Sequence, residues 1–94
     1  MRIRSFRHKG LRRLHETGIR TGVPQKLVVR IEDILAILEA APNLSRVPTF
    51  PGLRLHRLKG NPAEYWSISV SGNWRIIFRV ADHEILDLEL LDYH

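Results

Sequence analysis

Five histidines, twelve arginines, three lysines and two tyrosines carry most of the reactive chemistry of this 94-residue chain, which has no cysteine. Without cysteine there is no disulfide framework, no thiol nucleophile and no zinc site of the Cys-containing kinds. No Gly-rich phosphate loop, GxSxG elbow or HExxH helix is present, and the histidines form no pair at ligand spacing. The chain therefore carries no pattern for a metal or a cofactor. Its remaining side chains suit cleavage of RNA without a metal. There the ribose 2′-hydroxyl is the nucleophile, so the protein need supply only a base, an acid for the leaving 5′-oxygen, and cations for the charged phosphorane. Histidine, with an ordinary pKa of about 6.5, can fill either proton role.

The charge distribution points to the same class of partner. The formal net charge is +5, but it is not spread evenly. Residues 1–30 hold Arg2, Arg4, Arg7, Lys9, Arg12, Arg13, Arg20, Lys26 and Arg30 against one acid, Glu16, whereas residues 82–94 hold five acids and no Lys or Arg. Arginine's planar fork matches phosphate better than the point charge of lysine, so a polyanion is the expected partner. With 44% hydrophobic residues, the chain can bury enough surface to offset its ordering entropy and is expected to fold as one domain over residues 1–94. A domain of this size has little material for a deep cavity, which places its chemistry on the surface. No apolar run approaches the roughly 20 residues of a membrane span, and no h-region follows the basic start. A cytoplasmic protein without membrane contact is expected.

The elements that must position these side chains are legible in outline. Residues 2–7 read as a strand with Ile3 and Phe6, followed by a helix carrying Leu11 and Leu14 and stopped at Gly18. After Pro24, Leu27, Val28, Ile31, Ile34, Leu35 and Leu38 trace one face at helical period and predict an amphipathic helix ending before Pro42. Residues 42–52 read as a connecting loop. Strand patterns follow at 53–58, at Tyr65–Val70 and at Trp74–Val80, with Ser71-Gly72-Asn73 as the hairpin turn, and a last run from Ile85 to Leu91 places Leu86, Leu88 and Leu90 on one side. The predicted fold class is α+β, with two N-terminal helices on one face of a small, mainly antiparallel sheet in the order β-α-α-β-β-β-β. The opposite face then carries Arg54, His56, Arg75 and Arg79, and the function is expected there. Trp66 and Trp74 read as core, and His8, His15 and His83 as structural.

The segment from Gly52 through His56 to Lys59-Gly60, then Tyr65-Trp66, the hairpin Gly72-Asn73-Trp74-Arg75 and the terminal Asp92-Tyr93-His94 together resemble the HigB toxins of the RelE/ParE superfamily. The start, Ile3-Arg-Ser-Phe-Arg-His-Lys-Gly-Leu11, is similar to that family's first strand and helix, so the resemblance spans nearly the whole chain. It implies a bacterial type II toxin: a ribosome-dependent mRNA interferase that cuts mRNA in the ribosomal A site. It also implies a helix-turn-helix antitoxin of the HigA type, which joins the toxin in an autorepressing complex on operator DNA. By the resemblance, His56, Asp92, Tyr93 and His94 correspond to the catalytic group, while Lys59, Asn73 and Arg75 match positions lining the same site.

Arg54 and Arg79 join that group as phosphate-binding candidates from their place on the polar face, and Arg2, Arg4, Arg7, Lys9, Arg12 and Arg13 are assigned to docking on the ribosome. One departure stands out, because many relatives carry arginine where this chain has Ser71. That loss is expected to weaken phosphate binding unless Arg54, Arg57 or Arg79 compensates. The residues alone leave two rivals open. One is a ParE-like toxin that binds gyrase without nuclease chemistry, and the other is a noncatalytic basic module that binds nucleic acid.

Overall fold

The computed structural model describes residues 1–48, 52–58 and 64–92. Chain order begins with a two-residue strand β1 (Arg2–Ile3), helix α1 (Lys9–Thr17) and helix α2 (Val28–Ala40), which a short 3₁₀ turn at Gln25–Leu27 leads into. The predicted strand at 2–7 is thus mostly irregular, with Phe6 rejoining the sheet only as a single bridge to Leu88. α1 opens at His8, whose Nδ1 accepts the Leu11 backbone N–H at 3.1 Å, and closes at Gly18 in the left-handed region (φ 75°). An imidazole lone pair takes the place here of the usual Ser or Asp oxygen. Gly10, in the first turn of α1, lies directly on the backbone of Gly22, so that a Cβ on Gly10 would overlap the Gly22 carbonyl. α2 ends as its periodicity predicts, and the Met1 ammonium donates to the carbonyls of Leu38, Glu39 and Ala41, placing positive charge at the negative end of the helix dipole.

Four further strands complete the sheet: β2 (His56–Arg57), β3 (Trp66–Ser71), β4 (Trp74–Ala81) and β5 (Glu84–Asp92). Their spatial order is β1-β5-β4-β3-β2, antiparallel except for the β1–β5 pair. The β3–β4 turn uses Gly72 at positive φ, and the β4–β5 turn uses Asp82 and His83, both at positive φ as a two-residue hairpin loop requires. One face of the sheet is covered by the helices. Ile31, Ile34 and Leu38 of α2 and Leu11 of α1 are fully buried with Ile68, Ile76, Phe78 and Leu88. Trp66 and Trp74 are half-buried against this core, as the sequence predicts.

β5 does not keep a simple alternation. Ile77 pairs with Glu89 but Arg79 pairs with Leu86, so one extra residue of β5 sits opposite Phe78. Asp87, with φ 55°, is the residue that absorbs the insertion. The bulge puts Ile85, Leu88 and Leu90 in the core and leaves Leu86 half-buried outside that cluster. This corrects the expectation that Leu86, Leu88 and Leu90 share one side: a one-residue bulge reverses the facing of everything on its far side.

Candidate active site

The face away from the helices is built by the other half of each alternation: Tyr65, Ser67 and Ser69 beside β3 and along it, Arg75, Ile77 and Arg79 along β4, and Glu89 and Leu91 on β5. Across it runs one register row, His56–Ser67–Ile77–Glu89, and a neighbouring row, Ser69–Arg75–Leu91. Strands lie about 4.8 Å apart, so a row from β2 to β5 spans about 14 Å.

His56 is exposed on the edge strand β2. Its Nδ1 lies 2.9 Å from the carbonyl oxygen of Arg54. A carbonyl can only accept, so Nδ1 carries the proton, and in the neutral ring Nε2 is left with its lone pair outward. That is the tautomer a general base needs. Arg54 itself is exposed, with its backbone at φ 49°; it contributes the carbonyl that orients the ring, and its side chain has no ion pair among the described residues.

Arg75 is half-buried and tied down through Nη1, which donates to Ser69 Oγ at 2.9 Å and to the Gly72 carbonyl at 3.3 Å. The guanidinium is therefore held against the β3–β4 turn, in the middle of the sheet, two strands in from His56. Asn73 is exposed in that same turn. Asp92 ends β5 opposite Trp74, one pair beyond Arg75 and Leu91, at the hairpin end of the sheet. Lys59, Tyr93 and His94 lie outside the described residues.

A second group occupies the other end of the face. Arg79 turns both Nε and Nη2 onto Asp87 Oδ2, each at 2.8 Å. The bulge thus inserts a carboxylate beside a cation that sequence reasoning assigns to phosphate, and the Arg79 guanidinium is held above its ordinary pKa, first by this hydrogen bond. Arg7 donates to the hydroxyl of the buried Tyr65 at 3.3 Å and is likewise raised by it. Among the arginines expected to compensate for Ser71, Arg57 pairs with Glu64 at 2.7 Å and Arg79 with Asp87.

The N-terminal cations divide in the same way. Arg2 and Arg4 lie within ion-pair distance of Glu84, whereas Lys9, Arg12 and Arg13 are exposed along α1 with no ion pair among the described residues. Of the histidines read as structural, His8 caps α1 and His15 pairs with Glu39 at 3.0 Å, joining the two helices. Sequence reasoning misses Tyr65, Ser69 and Asp87. The signal available for Asp87 is an acid inside an apolar run, shared with Glu89, and Tyr65 falls within a motif but carries no chemical cue of its own. No cluster of three His, Asp or Glu side chains suited to holding a metal occurs among the described residues, and no helix there is long and apolar enough to cross a membrane.

Comparison with known proteins adds two findings. A family model described as RelE-like toxin of type II toxin-antitoxin system HigB matches residues 4–94. The chain is also 41% identical over 92 residues to Endoribonuclease HigB of Proteus vulgaris, an alignment covering 98% of this chain and 99% of that protein.

Proposed function

The chain belongs to the HigB-like family of RelE-like toxins of type II toxin-antitoxin systems, and on that premise we propose that it is an endoribonuclease that cuts mRNA in the ribosomal A site without a metal. The observation that carries this reading is the arrangement of His56 and Arg75. An imidazole with its Nδ1–H fixed on the Arg54 carbonyl faces a sheet whose central strand holds an immobilised guanidinium. The likeness to an enzyme named as an endoribonuclease supports it.

In this mechanism His56 Nε2 takes the proton of a ribose 2′-hydroxyl. The 2′-oxygen attacks the adjacent phosphorus while the P–O5′ bond breaks, and His94, or Tyr93, returns a proton to the departing 5′-oxygen. Arg75 and Lys59 stabilise the charge that develops on the non-bridging oxygens, where fixed donors are worth most. Asp92 orients the terminal group, and Asn73 contacts the sugar-phosphate backbone at the turn. The products are a 2′,3′-cyclic phosphate and a 5′-hydroxyl.

The ribosome supplies the geometry for the strand, and the exposed cations Lys9, Arg12 and Arg13 supply electrostatic docking on its RNA. A HigA-type helix-turn-helix antitoxin neutralises the toxin and carries it to operator DNA, and both act in the cytoplasm.

The test is mapping of mRNA ends after induction without antitoxin, in wild type and in a variant with His56→Ala and His94→Ala. Cuts within translated frames that vanish when initiation is blocked, and vanish in the double variant, are the expected result. Intact transcripts accompanied by failed DNA replication would move the assignment to a gyrase-directed toxin. Cleavage that survives in the double variant would refute the site.

A further inference from the structure

We propose that Arg7, held over the sheet by Tyr65, is a second phosphate-binding position for the RNA strand, separate from the one at Arg75; this rests on the endoribonuclease reading above. Arg7 follows β1, and its backbone N–H donates to the Leu88 carbonyl of β5. Its side chain meets the hydroxyl of Tyr65, which immediately precedes β3. The two side chains therefore bridge the sheet above β4 from opposite sides. Tyr65 is buried and stays outside the helix-covered core, so its hydroxyl is a fixed post on the same face as His56 and Arg75.

A fixed post changes what Arg7 can do. An exposed arginine on a flexible stem loses rotamer freedom when it binds, whereas one already oriented loses less. Among the described residues the Tyr65 hydroxyl is the one hydrogen-bond partner of the Arg7 guanidinium, leaving most of its five donors for a ligand. The charged groups around it are Arg79, Asp87 and Glu89. Asp87 is spent on Arg79, and Glu89 Oε1 turns back to accept the Leu90 N–H at 3.1 Å. Arg7 forms no ion pair with either carboxylate among the described residues, though both lie close enough to act on its charge. An oriented guanidinium with donors left over fits a phosphodiester.

The position is set by the ladder. Trp66 pairs with Phe78, which puts Tyr65 beside Arg79, four residues along β4 from Arg75. At about 3.3 Å per residue the separation is about 13 Å, too far for one phosphate to touch both ends. Arg75 and Arg7 therefore take different phosphates of the same strand, and Arg7 fixes the direction in which the message crosses the sheet.

The experiment is single-turnover cleavage of an mRNA held in programmed ribosomes, with one flanking phosphate at a time replaced by an uncharged methylphosphonate. For wild type, one such replacement away from the scissile bond weakens apparent binding about tenfold, the worth of one charge-assisted hydrogen bond. In Arg7→Ala that same replacement costs nothing further, and Tyr65→Phe, which keeps the ring but removes the post, gives an intermediate loss that appears in KM more than in kcat. If Arg7→Ala weakens binding additively with every replacement, Arg7 touches the ribosome and the proposal fails; it fails too if Arg7→Ala has no effect. Binding of a single-stranded RNA oligonucleotide as a function of salt gives a reading independent of cleavage: Arg7→Ala should lower the slope of log K against log salt by about 0.7. An unchanged slope overturns the site even if the toxin cuts nothing, and a lowered slope in a protein that cuts nothing supports the site while removing the nuclease reading.

Discussion

Asp87 offers the sharpest test of how β5 is built. Three substitutions separate its two roles, the left-handed backbone at φ 55° and the carboxylate that holds Arg79. Asp87→Gly and Asp87→Ala both remove the carboxylate, so the ion-pair contribution cancels when they are compared with each other. The hydrogen bond to Ser5 Oγ, at 2.8 Å, is donated by the Asp87 backbone N–H and survives in both. What differs is conformation. A non-glycine residue in the left-handed region costs about 1–2 kcal/mol, while alanine recovers about 0.4–1 kcal/mol by restricting the unfolded chain. Alanine should therefore be the less stable of the two by about 0.5–1 kcal/mol. Asp87→Asn, which tolerates this backbone and can still accept from Arg79, should be the most stable of the three.

With Trp66 and Trp74 half-buried against the core, tryptophan fluorescence reports unfolding in urea. For a domain of this size a slope of about 1.5 kcal/mol per M turns that difference into a midpoint about 0.5 M lower for alanine than for glycine. The slopes must agree for the comparison to hold. Alanine matching or exceeding glycine would refute the bulge at Asp87, and asparagine falling below glycine would show that the side chain adds nothing beyond its charge.

Two further outcomes follow from local geometry. Gly10→Ala should gain helix propensity worth about 0.5–1 kcal/mol, yet its Cβ would overlap the Gly22 carbonyl, a backbone group that cannot rotate away; overpacking of this kind costs about 1–3 kcal/mol, and thermal unfolding should register a net loss, so a rise in melting temperature would contradict the contact. His8→Ala removes the acceptor for the Leu11 N–H and should cost about 1 kcal/mol, or about 4–8 °C in a domain this small, whereas His8→Asp should keep most of the stability in a urea titration because a carboxylate at that position accepts the same N–H.

The parts of this molecule that can be read from sequence are those set by neighbours along the chain. The face from Leu27 to Leu38 becomes α2, and the strict alternation from Trp74 to Val80 becomes β4, because burial on one side imposes each period. The resemblance to the toxin family, resting on segments near His56 and Arg75 and at both ends, agrees with the family match over residues 4–94. What escapes is set across the fold. Nothing near Asp87 announces a bulge, since its partners are Ser5, 82 positions away, and Arg79 on the adjacent strand. For the same reason nothing near Arg79 in the sequence shows the carboxylate that pairs with it. His8 is missed as a cap because histidine is not among the residues that usually fill that position. Arg7 reads as one more cation in a basic terminus, and only the sheet order brings it to Tyr65.

The outermost strands, β1 and β2, are each two residues long. The long strands β3, β4 and β5 all lie inside them. A chain adding to β1 or β2 itself meets only a brief row of ladder groups, one flanked by Arg4 and the other carrying His56 and Arg57, and short charged strands are poor templates for strand addition. At these two outermost strands the sheet thus offers a second chain little to build on, a restraint set by strand length and charge rather than by any covering element.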